Sequence, residues 1–251
     1  MIETRILMGM PITIEIVDKW ATKKAIDKIF KYFEYIDKTF STFKPDSEIS
    51  KINRGEIEKN SYSTDMKIVF ELAEKTKNET NGYFDIIDNN GKYNPSGIVK
   101  GWAIYCATQI LRKDGFENFY VNAGGDIQFC GKNSENKLWN SGIKNPFNQN
   151  EIVKVVYLES GQGIATSGNY IRGDHIYNPK NRNKIIDEIV SFTVIGPNVQ
   201  EADRFATAVF AMGKSGINFL EKMPEFAGYM IDKNGVAFMT SNFENFTNEH
   251  T

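Results

Sequence analysis

Asn198-Val-Gln-Glu-Ala-Asp-Arg-Phe-Ala-Thr-Ala-Val-Phe-Ala-Met212 is the clearest helix in the 251-residue chain, and Gly213 is placed to end it. Most of the stretch is apolar: Val199, Ala202, Phe205, Ala206, Ala208, Val209, Phe210 and Ala211. Asp203 and Thr207 stand four residues apart, so their oxygens leave one face. A carboxylate in so apolar a helix needs a partner or a ligand. An oxygen-only set of Asp, Thr and a backbone carbonyl suits a hard cation. The pair reads equally well as an acidic residue favoured by the helix dipole beside a threonine bonded to its own backbone.

Strands surround this helix in sequence. Glu188 to Ile195 predicts a strand ending at Gly196-Pro197. Downstream, Gly228 to Ile231 and Val236 to Met239 predict a hairpin around Asp232-Lys-Asn-Gly235, where Asn-Gly favours a tight primed turn. Upstream come strands at Asn118 to Val121, Ile127 to Cys130, Trp139 to Lys144 and Ile152 to Leu158. The first strand is Pro11 to Val17, with Ile12, Ile14 and Ile16 alternating. Helical periodicity covers about Thr22 to Lys38, Ser63 to Thr80 and Ile98 to Asp114. A short helix starts at Asp46 or Ser47 and runs toward Asn53. With helices and strands interspersed and no repeat or linker, the chain predicts a single compact α+β unit over residues 1–251, whether undivided or of two lobes with a ligand site between them.

Composition narrows the function. The net charge is −2 with Lys and Arg scattered, which argues against a nucleic-acid partner. No apolar run approaches the roughly 20 residues of a membrane span. Met1 to Met10 carries Glu3 and Arg5 and lacks a signal peptide's apolar core; no Cys near the start offers a lipid anchor. Cys106 and Cys130 are too few for a disulfide framework, so a cytoplasmic location is the expectation.

Three further segments carry chemistry. Ser96-Gly-Ile-Val-Lys-Gly101 leads into a helix, where free N–H groups and small residues suit a phosphate, or simply a tight turn. Asn122-Ala-Gly-Gly-Asp126 sits between strands and reads first as a hairpin turn or bulge. Ile164-Ala-Thr-Ser-Gly-Asn169 reads as a small, hydroxyl-bearing loop. It precedes Asp174-His-Ile-Tyr-Asn-Pro179, whose His175 is a structural residue or a general base. The other histidine, His250, lies in a polar tail.

Taken in order, these segments resemble the ApbE-type FAD:protein FMN transferase family. The resemblance runs nearly end to end through Met8-Gly-Met-Pro11, Ser41-Thr-Phe-Lys-Pro-Asp-Ser-Glu-Ile-Ser50, Asn81-Gly-Tyr-Phe-Asp85, Ser96 to Ala103, Val121 to Asp126, Ala165-Thr-Ser-Gly168, His175-Ile-Tyr-Asn-Pro179 and Glu201 to Thr207. It implies a magnesium ion held by Asp203, Thr207 and the Gly97 backbone oxygen, with Ala206 lining that site. It implies flavin contacts at Met8, Phe43, Tyr83, Phe84, Asp85, Asn94, Lys100 and Tyr177, and His175 as the group that activates the acceptor hydroxyl. FAD would be the substrate, and the acceptor a flavoprotein carrying a threonine in a Ser/Thr-Gly-Ala-Thr-like segment. That segment is absent from this chain, so self-modification is not expected. The sequence departs from the pattern at Asn94 and Asn178, where Asp is frequent, and between Asp85 and Ser96, which is short. The rival readings are hydrolysis of FAD to FMN and AMP, and FAD binding without turnover.

Overall fold

In the computed structural model, described for residues 1–169, 176–181 and 186–248, one antiparallel sheet runs through the whole fold. Its eight strands lie in the order β1 (Ile2–Leu7), β2 (Met10–Ile16), β3 (Phe119–Ala123), β4 (Asp126–Cys130), β7 (Gly163–Gly168), β8 (Ile189–Gly196), β9 (Ala227–Asp232) and β10 (Ala237–Met239). Two further strands, β5 (Trp139–Asn145) and β6 (Asn148–Leu158), make a separate hairpin. The helices are α1 (Lys23–Phe40), α2 (Glu48–Asn53), α3 (Thr64–Glu79), α4 (Ser96–Lys113), α5 (Val199–Ala211) and α6 (Gly216–Leu220).

Local chemistry sets the ends of these elements. Thr22, Ser47, Ser63 and Asn198 each accept a backbone N–H from the first turn of α1, α2, α3 and α5. Gln128 adds a second cap to α5: its Oε1 accepts the Val199 N–H at 2.7 Å. The predicted α4 begins two residues earlier than its apolar periodicity indicated, so Ser96 and Gly97 form its first turn.

Two helical packs share the sheet. Ile12, Ile14 and Ile16 of β2 bury against Phe30 and Phe33 of α1 and Trp102 of α4. Farther along, Phe205, Val209 and Phe210 of α5 pack on Phe192 and Val194 of β8. The opposite face is covered by Trp139, Ile143, Val156 and Leu158 of the β5–β6 hairpin, together with Phe243. The packs meet where α4 crosses α5. There a Cβ on Gly101 would stand 2.5 Å from Asp203 Cβ and 2.8 Å from the Val199 carbonyl, so only glycine allows this approach.

Three expectations need correction. Residues 2–7 form strand β1, an edge strand paired to β2 whose alternation is hidden by exposed Ile2 and Ile6. Gly163 to Gly168 is strand β7, a central strand; small and hydroxyl residues there face α5 at close range instead of making a loop. The β9–β10 connection has Gly235 at φ +79 but no positive φ at Asn234, so it is not the primed turn that Asn-Gly favours. Asp232 Oδ1 dictates its shape instead, accepting the Asn234 and Val236 N–H groups at 2.9 and 3.0 Å.

Candidate active site

The α4–α5 crossing opens into a cleft of about 710 Å³. Its floor is electrostatic. Asp203 on α5 and Asp126 at the start of β4 are 3% and 1% exposed, and the Lys100 ammonium lies 2.5 Å from Asp126 Oδ2 and 3.8 Å from Asp203 Oδ1. Two buried carboxylates therefore share one cation. Asp126 Oδ1 accepts the Thr166 N–H at 3.0 Å, whereas Oδ2 has the ion pair but no well-directed hydrogen bond. Burial pushes the Asp203 carboxyl up to about 7; Lys100 pulls it down and Asp126 pushes it further up.

Beside this pair, the Thr207 hydroxyl lies 3.2 Å from the Gly97 carbonyl and 3.4 Å from Ser167 Oγ. A regular helix would aim the Gly101 N–H at the Gly97 carbonyl. Here that N–H donates to Asp203 Oδ2 at 2.7 Å. Both contacts tie the first turn of α4 to α5. A Cβ at Gly97 would come within 3.1 Å of Thr207 Cγ2, so the backbone is held close.

Among the described residues, no three His, Cys, Asp or Glu side chains gather as a metal cage. The oxygens of Asp203, Thr207 and Gly97 are a different kind of donor set, mixed side chain and backbone, of the sort hard divalent cations accept. A buried carboxylate pair that shares a single lysine gives such a cation an electrostatic reason to enter. The donors fit.

The walls are aromatic and polar. Met8 lines the cleft from the β1–β2 turn, where it holds φ +53 beside Gly9 at +73; a two-residue primed turn demands both. Phe43 is 95% exposed at the rim. Phe84 is buried beneath Gly97, and Tyr83 stacks under the Lys180 ammonium at 4.7 Å. Tyr177 donates its hydroxyl to the Ile87 carbonyl at 2.7 Å, tying residues 176–181 to the segment after Phe84. Asp85 is spoken for by Lys77 at 3.0 Å and by the Ile87 N–H at 2.9 Å. Exposed Asn94 accepts the Ser96 N–H at 3.3 Å, at the entry to α4.

The structure thus brings Met8, Phe43, Tyr83, Phe84, Asp85, Asn94, Gly97, Lys100, Tyr177, Asp203 and Thr207 to one cleft. Ala206 does not line it: its methyl is fully buried among the aromatic side chains under α5, so only its backbone is near Thr207. His175 lies outside the described residues, although Ile176 and Tyr177, next in the chain, line the cleft. Two residues of the site were not singled out from the sequence. Asp126 passed as the end of a hairpin turn, and the Gly124-Gly125 turn is indeed there, at φ +62 and +102. Its signal was a carboxylate opening an otherwise buried strand. Gly101 passed as part of a small-residue helix start.

Within this α+β fold the cleft places two buried carboxylates that share one lysine beside aromatic walls. The ApbE family matches residues 8–91 and 88–230, and the chain belongs to that family. It is 29% identical over 153 residues to the FAD:protein FMN transferase of Klebsiella pneumoniae (strain 342), covering 58% of this chain and 44% of that protein. To the protein of the same name from Vibrio cholerae serotype O1 it is 32% identical over 127 residues, 47% of this chain and 38% of that one. The matched stretches thus span less than half of these relatives. Among solved structures, the flavin transferase ApbE from Vibrio cholerae superposes with a TM-score of 0.84 at 23% identity over 98% of both chains. The ApbE protein of Thermotoga maritima gives 0.88 at 22% identity over 99% of both. No helix among the described residues is long and apolar enough to cross a membrane.

Proposed function

We propose that the protein transfers the FMN half of FAD to a threonine hydroxyl of an acceptor protein and releases AMP, in the presence of magnesium. The observation that carries this reading is the buried Asp126–Lys100–Asp203 group beside Thr207 and Gly97, within one cleft with the aromatic walls. Relatives named FAD:protein FMN transferase support the choice of FAD and of transfer.

Asp203, Thr207 and the Gly97 carbonyl would hold the magnesium ion. When bound, it neutralises pyrophosphate oxygens and makes AMP a better leaving group. Lys100 supplies a second positive charge to the phosphates, moving from its carboxylate partners toward the ligand. Tyr83 and Phe43 offer flat apolar surfaces to the isoalloxazine or the purine, with Phe84 packed beneath Gly97 in support. Tyr177, through its hydroxyl on Ile87, holds its own segment against the cleft and so brings the chain after His175 to the reacting end. His175 takes the proton from the acceptor hydroxyl as oxygen attacks the FMN-side phosphorus. The P–O bond to the AMP side breaks, and AMP leaves with that oxygen.

Mass spectrometry tests this directly. The full chain incubated with FAD, magnesium and a threonine peptide of the Ser-Gly-Ala-Thr kind gives an FMN adduct on the peptide and free AMP. AMP and free FMN without the adduct make the protein a hydrolase; bound FAD with no turnover makes it a binding protein. In the same assay His175→Ala slows transfer while FAD stays bound, whereas loss of FAD binding alone makes His175 a contact.

A further inference from the structure

A second cavity of about 430 Å³ adjoins the cleft, and four residues, Asn122, Ile127, Ser141 and Gly142, line both. Strand β5 forms the shared wall. Residues 139–142 line the second cavity and residues 141–144 the cleft. Consecutive residues, not alternate ones, meet the space, so an edge of the strand borders it and not one face. The side chains of Trp139 and Ile143 meanwhile turn into the core.

This edge is open. β5 pairs with β6 alone. Apart from that pairing, the backbone of residues 139–144 makes no hydrogen bond among the described residues. On the β6 side of the hairpin, Lys154 reaches Glu244 at 3.2 Å, and Phe246 packs on the same apolar cluster. An unpaired strand edge recognises an extended backbone, through alternating N–H and C=O groups.

The lining of the second cavity points to the same occupant. Asn140, Ser134 and Ser141 supply both donors and acceptors, as a peptide backbone requires, while Asn133 is held by its own loop. No Lys or Arg lines it, and its one charged residue is Glu15, so it repels the phosphates of a dinucleotide. The positive charge is on the cleft side, at Lys100 and Lys144. A nucleotide therefore belongs in the cleft and a neutral chain beside it.

We propose that the free edge of β5, with the second cavity behind it, is the docking site of the acceptor, which adds to β5 as an extended strand and presents its hydroxyl to the cleft. This rests on the transferase reading above. It makes specificity largely a matter of backbone shape near the target residue, with small side chains favoured where the chain passes Ser141 and Gly142.

The test leaves the protein unaltered. A Ser-Gly-Ala-Thr peptide with short flanks is compared with two versions N-methylated at alternate residues, one in each parity, the threonine amide untouched in both. A strand added to an edge uses the N–H groups of one parity only. With FAD and magnesium present, one methylated version shows a KM for the peptide raised about tenfold or more, and the other stays within about twofold of the parent. FAD binding, followed by flavin fluorescence, is the same throughout. Equal KM values for all three peptides, or equal losses in both methylated ones, overturn strand addition while transfer itself stands. No FMN on the parent peptide, with FAD split to FMN and AMP, overturns the transfer reading and the docking site with it.

Discussion

Asp203 and Arg204 are neighbours on α5, 3% and 2% exposed, and their charges are met in opposite ways. Arg204 turns to α3. It pairs with Glu201 and Glu79, donates to Thr76 Oγ1 at 3.3 Å, and lies over the Phe205 ring at 4.3 Å. One cation thus has two carboxylates, and Glu79 reaches solvent. Asp203 turns to α4 and β4, where it shares one lysine with a second buried carboxylate. One region is over-compensated and closed; the other is short of positive charge and opens on the cleft. The first arrangement fastens helices. The second is stable only with a proton or a cation added, which is the physical mark of a binding site.

Exchange of the two residues for alanine separates these roles. Asp203→Ala lowers magnesium-dependent turnover of FAD on the order of a hundred- to a thousandfold, as loss of charge stabilisation at a reacting centre does. Its Tm holds or rises, because the variant removes a buried charge with half a partner and leaves Asp126 its own lysine. Thermal unfolding and AMP release on the same preparation decide it. Full activity removes the proposed metal site, and a fall in Tm as large as that of Arg204→Ala erases the distinction.

Arg204→Ala behaves in reverse. Breaking a buried ion pair costs about 3 kcal/mol at the low end of the usual range, which for a chain of this size lowers Tm by roughly 6–12 °C. The low end applies because Glu79 can hydrate once its partner is gone. FAD turnover at 20 °C stays within about threefold of the parent, since no Arg204 contact reaches the cleft.

Gly101→Ala acts on the boundary between the regions. The added methyl would meet Asp203 Cβ at 2.5 Å and Oδ2 at 2.9 Å, and only movement of α4 away from α5 relieves this. Overpacking of this kind costs about 1–3 kcal/mol. The distinctive result is functional: the magnesium concentration for half-maximal turnover rises by about tenfold, because Asp203 and the Gly97 carbonyl no longer converge. A stability loss with unchanged magnesium demand would show that the crossing merely packs.

The contrast between the regions also explains what the sequence could disclose. Helix α5 and its stop at Gly213 were legible because periodicity and helix-end signals are local. Asp203 and Thr207 were legible as a pair, by their spacing. What they face was not: Gly101 lies 102 residues away and Asp126 on another element, and nothing local ties either to Asp203. Strand β7 was hidden because Gly163, Ala165 and Ser167 are small where the strand meets α5; a Cβ on Gly163 would stand 2.1 Å from the Val199 nitrogen. Close packing on a helix had removed the bulky alternation by which strands are read. The order of short motifs supplied the family where physical pattern alone left Asp203 and Thr207 undecided.

The most specific effect concerns protons. Burial raises the Asp203 carboxyl to about 7, well above its ordinary value near 3.8. Between those two values the folded protein holds a proton that the unfolded chain releases. Stability without metal is then fully present at low pH and declines as pH rises through this window. The opposite sign would hold for Glu221, whose carboxyl is lowered by Ser241; its contribution appears above the ordinary value and is lost on acidification. From pH 5 to pH 8 the metal-free protein therefore loses stability through Asp203, and its Tm falls. Magnesium reverses the fall at pH 8 and does little at pH 5, because the protonated carboxyl is a poor ligand. Asp203→Asn flattens both responses, since the amide neither titrates nor attracts the ion, while Arg204→Ala keeps them on a lower baseline. If the Asn variant kept the slope, the proton would reside on another group, and Asp203 would not be the seat of the pH response.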